Sequence, residues 1–102
     1  MRRDLFGGTG AVRVSDLGAR TAPFTAVLHC VLDPGGRVGA HVQEHDDEIV
    51  IVIAGEGVLY VDGRARPCVA GSAVALPLGA RLEIDNASDA ASLTYLIVKA
   101  RR

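Results

Sequence analysis

Between residues 41 and 48 the chain sets down His41, Gln43, His45 and Glu48, and then runs into Ile49-Val50-Ile51-Val52-Ile53. Imidazole nitrogen and carboxylate oxygen gathered in one place suit Fe, Mn, Ni or Zn, so a divalent metal centre is the first chemistry this cluster suggests. Residues two apart on a strand face the same side, which puts His41 and Gln43 together. Gln43, however, offers a weak amide oxygen where a metal would prefer a third imidazole. His45 falls where the chain should turn between strands, and is either a third donor that swings in or a solvated loop histidine. Asp46 and Asp47 read as solvated turn residues, or as an acidic rim that favours cationic ligands. Without a metal, His41 and Glu48 form an acid–base pair. Burial raises the carboxyl's pKa and a neighbouring imidazolium lowers it, which would poise the pair near neutrality.

His29 stands apart in Thr25-Ala26-Val27-Leu28-His29-Cys30-Val31-Leu32, an apolar strand whose parity the sequence leaves open. Facing inward, it could supply a missing imidazole; facing outward, it is a surface or interface residue; bonded to a neighbour, it is a core histidine. Cys30 and Cys68 have no C-x-x-C spacing and are read as buried thiols.

The elements that must position these residues are strands. No stretch of a dozen residues keeps helical periodicity without a glycine or proline interrupting it. Short apolar runs near 10–15, 24–33, 37–43, 48–54, 57–62, 65–69, 73–76, 81–86 and 92–99 are separated by turn signals. Asp62-Gly63 predicts a type I′ hairpin, because both residues tolerate positive φ. The fold class is therefore all-β, a small antiparallel barrel or sandwich. Charged Arg81, Glu83 and Asp85 share one face of their strand, so Leu82, Ile84 and Asn86 point inward. Period two likewise sets Glu48, Val50 and Val52 opposite Ile49, Ile51 and Ile53. That strand reads as buried on both faces, and the isoleucines need a cover. A homodimer interface supplies it, the alternative being the chain's own N-terminal segment.

A length of 102 residues suits one domain spanning 1–102. Eleven Lys/Arg against twelve Asp/Glu give a net charge of −1, without the basic excess that phosphate-backbone binding requires, so nucleic acid is not an expected partner. No segment of about 20 apolar residues appears, and MRRDLFGGTG lacks a signal-peptide core, so no membrane partner and a cytoplasmic location are expected.

Two spaced patterns carry a resemblance. Gly35, His41, Glu48 and Gly55 fall at the positions of G-x5-H-x-H-x(3,4)-E-x6-G, with Gln43 in place of the second histidine. Gly71, Pro77, Gly79 and Asn86 fit G-x5-P-x-G-x2-H-x3-N, with Leu82 in place of its histidine. These are the two motifs of the cupin family, which the chain resembles through its middle and most of its C-terminal half. The resemblance implies a double-stranded β-helix, or jelly roll, commonly dimeric, with a pocket that usually holds a divalent metal on three histidines and a glutamate. By motif position Glu48 reaches that pocket. Here His41 and Glu48 survive from the set, Gln43 is weak, and Leu82 coordinates nothing, with His45 or His29 as possible third ligands. Even changes outside the ligand shell typically cost about 10–100-fold in metal affinity. The expected state is thus metal-free or weakly metallated, with His41, Gln43, Glu48, Val50, Leu82 and Ile84 forming a small-molecule pocket. The competing readings are a metal-dependent oxygenase or isomerase with a reduced ligand set, a metal-free acid–base catalyst, and a scaffold with an empty barrel.

Overall fold

Branched aliphatic residues in short runs, cut by glycine-bearing turns, give ten strands in two sheets among the described residues. The structure, a computed structural model, describes residues 2–3, 10–42 and 44–101, so Gln43 lies outside the described residues. The strands are β1 (Arg2–Arg3), β2 (Ala11–Asp16), β3 (Phe24–Leu32), β4 (Arg37–Val42), β5 (Asp47–Ala54), β6 (Glu56–Val61), β7 (Arg64–Val69), β8 (Ala73–Leu76), β9 (Arg81–Asn86) and β10 (Leu93–Ala100). Nine were expected and form within a residue of the expected bounds; β1 is the addition. All pairs are antiparallel. One sheet runs β1-β2-β3-β10-β5-β8 and the other β4-β9-β6-β7. Their inner faces meet in a core of Leu32, Leu59, Leu82, Ile84, Leu93 and Val50, and the whole is an all-β jelly roll.

Two local features fix the four-stranded sheet. Asp62 and Gly63 both adopt positive φ, 51° and 79°, and join Val61 to its partner Arg64 in the two-residue hairpin the sequence predicts. Gly57 on β6 lies so close to β9 that a Cβ there would stand 2.3 Å from the Asp85 carbonyl oxygen. Only a residue without a side chain lets β6 and β9 approach this way.

The face assignments follow the sequence where charge sets the phase. On β9, Leu82, Ile84 and Asn86 are buried. On β5, Glu48, Val50 and Val52 turn inward, while Ile49 and Ile53 remain 44% and 45% exposed on the outer face. The strand is therefore buried on one face within the chain, not on two. Cover by the N-terminal segment fails for the described part of it, because β1 pairs with β2 at the opposite edge of the sheet from β5.

Candidate functional site

Six strands bring their inward residues to a cavity of about 140 Å³ inside the barrel. Its apolar walls come from Val12 and Val14 on β2, Leu28 on β3, Val38 on β4, Leu82 and Ile84 on β9 and Ile97 on β10; the polar lining is His41, Glu48, Tyr95, Lys99 and the Cys30 thiol. His41 gains its place through a β-bulge. Val38 pairs with Ile84 and His41 with Leu82, so three steps on β4 answer two on β9. Residues three apart on a regular strand face opposite sides, and the extra residue restores His41 to the side of Val38. On the other sheet Lys99 sits directly across from Glu48 in the β10–β5 ladder, and its Nζ lies 4.0 Å from Glu48 Oε1.

The sequence-derived pocket divides as follows. His41, Glu48, Leu82 and Ile84 meet at the cavity. Val50 is buried in the core but is not among the cavity walls, since alternation gives a side chain's face and not its depth along the barrel. Gln43 lies outside the described residues. His29 faces away: its ladder neighbours are Leu96, and through it Ile51, on the outer side of the sheet, while Leu28 and Cys30 point in. That register removes it as a metal ligand and as a core histidine. His45 is exposed and lines the mouth of the barrel instead of the cavity. Asp47 is no rim residue, because it belongs to β5 and its carboxylate accepts a bond from the Leu78 N–H at 2.7 Å.

That mouth is a wider hollow of about 530 Å³ bordered by Glu44, His45, Asp46 and Arg81. Since His41 and Lys99 line both spaces, they stand at the throat between them. The rim carries Arg81 as well as acids, so it is mixed in sign and not the acidic ring the sequence allowed.

The electrostatics centre on Glu48, which is 3% exposed. Burial pushes its carboxyl above the ordinary carboxylate range, Lys99 pulls it back, and Asp46 adds a smaller upward push. The cation that moderates Glu48 is thus Lys99 and not a His41 imidazolium, which corrects the expected acid–base pairing. His41 itself is pushed below the usual imidazole range by burial, against a 3.5 Å contact from its Nδ1 to the Gly39 carbonyl oxygen and with the help of Lys99, so it is neutral at pH 7. Glu48 Oε2 has no hydrogen-bond partner among the described residues. Deeper in, burial raises the Tyr95 hydroxyl well above its ordinary value and lifts the Cys68 thiol to about 11. Cys30 and Cys68 are buried and joined in no disulfide, as expected, and a thiol pushed upward like Cys68 is unreactive.

The described donors make up only part of a divalent metal site. Among the described residues no three His, Cys, Asp or Glu side chains converge as ligands. His41 and Glu48 are left as a pair, and the Lys99 ammonium already places a positive charge beside Glu48. Sequence reasoning missed Lys99 and Tyr95. The only signal for them was parity along β10, where Leu93, Tyr95, Ile97 and Lys99 share the inward face.

Among the described residues no helix is long and apolar enough to cross a membrane. No curated protein matches the sequence. Among solved structures, a predicted oxalate decarboxylase from Thermotoga maritima superposes with a TM-score of 0.90 at 28% identity, over 99% of this chain and 90% of that one. A Cupin 2 conserved barrel domain protein from Salinispora arenicola CNS-205 is 34% identical with a TM-score of 0.75, over 87% of this chain and 75% of that one. A sugar phosphate isomerase from Silicibacter pomeroyi is 30% identical with a TM-score of 0.73, over 89% of this chain and 60% of that one. One scaffold carries differently named proteins here, so the likeness gives the fold and not the reaction. Residues 28–99 match the Cupin domain family profile, and because that span holds both motifs and the whole four-stranded sheet, the chain belongs to the cupin family.

Proposed function

We propose that this cupin is a small-molecule-binding protein whose pocket works without a resident divalent metal, or holds one only weakly. The observation that carries the reading is the cavity of about 140 Å³ inside the barrel, apolar on most sides, with His41, Glu48 and Lys99 among its lining. Apolar walls with a few convergent polar groups are the make-up of a ligand site. The size supports a compact ligand, since an engineered cavity of roughly 150 Å³ takes up benzene. In a fragment screen followed by amide NMR, single-ring compounds are expected to shift the signals of His41, Leu82 and Tyr95. A Leu82→Phe variant, which fills the cavity, should lose those shifts while keeping its fold. Fragments that perturb no cavity-lining amide of the native protein would refute the pocket.

We further propose that it works as a homodimer through the outer face of the six-stranded sheet. Val27, Val98, Ile49 and Ala75 form one rung of that face, and His29, Leu96, Ile51 and Ala73 the next. An apolar groove of about 470 Å³ runs beside Ile49, Ala75 and Val98. Neither rung carries an acidic or basic pair that would oppose a second copy, and a symmetric contact buries the same surface twice. Light scattering at micromolar concentration is expected to give twice the chain mass, and Ile49→Asp to give one chain mass; a native monomer would refute the interface. The buried thiols support a reducing, cytoplasmic setting.

A further inference from the structure

Two groups at the throat of the barrel, an ion pair with each other, keep hydrogen-bonding capacity of complementary kinds unmet among the described residues. Glu48 Oε2, on a side chain 3% exposed, accepts no hydrogen bond among the described residues. Lys99 donates none there either, and its nearest carboxylate oxygen, Glu48 Oε1, is 4.0 Å away, beyond hydrogen-bond reach. An ammonium carries three donors, and a buried acceptor left unmet is destabilising, so both groups favour a molecule that satisfies them. Glu48 calls for a hydroxyl or N–H donor and Lys99 for an anionic oxygen. Because the two residues are direct neighbours across the β10–β5 ladder, with Nζ 4.0 Å from Oε1, one molecule that carries a donor and an anionic acceptor close together can meet both. The mouth adds the Arg81 guanidinium, which is in no ion pair among the described residues, on the side from which an anion would enter. Behind the throat the walls are hydrocarbon.

From this arrangement we infer that the pocket takes an α-hydroxycarboxylate with a compact apolar tail: the carboxylate against Lys99, the hydroxyl to Glu48 Oε2, and the tail in the cavity bounded by Leu28, Leu82, Ile84 and Ile97. Lys99 is the residue that selects for the anion. The inference rests on the proposed ligand pocket and specifies its occupant.

Mandelate, phenylacetate and styrene glycol share one ring and differ by the hydroxyl or the carboxylate, and titration calorimetry with the intact protein compares them. Mandelate is expected to bind about tenfold or more tightly than either. Lys99→Met should abolish the preference for mandelate over styrene glycol, and Lys99→Arg should keep it; melting curves of both variants check that they fold. Equal affinity for mandelate and styrene glycol, or a preference that persists in Lys99→Met, would overturn the inference and leave the pocket standing. Single-ring fragments that bind while none of the three probes does would overturn it in the same way. If no ring compound of any charge enters, the pocket falls and the inference with it.

Discussion

An Asn86→Ala variant is expected to lose about 3–5 kcal/mol, the largest cost of any single polar truncation in the chain. Asn86 is 5% exposed at the end of β9. Its Nδ2 shares two hydrogens among the carbonyl oxygens of Leu32 at 3.2 Å, Asp33 at 3.0 Å and Ala91 at 2.8 Å, and its Oδ1 accepts from the Ser88 N–H at 3.0 Å. One side chain thus ties the β3–β4 turn to the β9–β10 connection across the two sheets. Truncation leaves three carbonyls and an N–H without it, and each bond to a buried group is worth roughly 1 kcal/mol, with a further penalty for groups left unmet. For a domain whose total stability is of order 5–15 kcal/mol, that removes a large share. Urea melts at pH 7 read the loss directly. A cost below about 1 kcal/mol would show that the network is replaceable by water.

The second large effect is a gain. Leu82 is the ladder neighbour of His41 on β4, and both line the cavity with Glu48. Leu82→His places a second imidazole beside the first, and with the carboxylate completes a two-histidine, one-carboxylate set of the kind that holds iron and similar divalent ions. Lys99→Met in the same chain removes the charge that opposes a dication. The double variant, stripped with chelator and titrated with Ni or Zn, is expected to bind one equivalent at least about 100-fold more tightly than the native chain, a difference of ~2.7 kcal/mol. Elemental analysis after desalting gives an independent reading. A native chain that already retains one equivalent would refute the account of the degenerate centre, as would a double variant that retains none.

How far the sequence reached depended on what marked the faces of each strand. Arg81, Glu83 and Asp85 label the outside of β9, so Leu82, Ile84 and Asn86 were legible as inward. Asp62-Gly63 labelled its hairpin because the turn demands positive φ at both positions. On β3 the residues from Ala26 to Leu32 other than His29 are apolar on both sides, so no charged neighbour phases His29; the ladder to Leu96 and Ile51 does. Lys99 stayed hidden for a similar reason. From Leu93 to Val98 only Thr94 and Tyr95 are polar, and as neighbours they mark opposite faces. The pairing of Lys99 with Glu48 joins strands far apart in the chain, which no local pattern encodes. Val50 shows the opposite limit, correctly turned inward yet lying outside the cavity.

The bulge between Val38 and His41 gives the site an uneven tolerance to inherited change. Gly39 has no side chain and that of Ala40 does not line the inner cavity, yet the number of backbone units there decides which way His41 points. Point substitutions leave that number alone. Loss or gain of one codon changes it and would carry the imidazole to the far side of the sheet, with every residue of the pocket still present in the sequence.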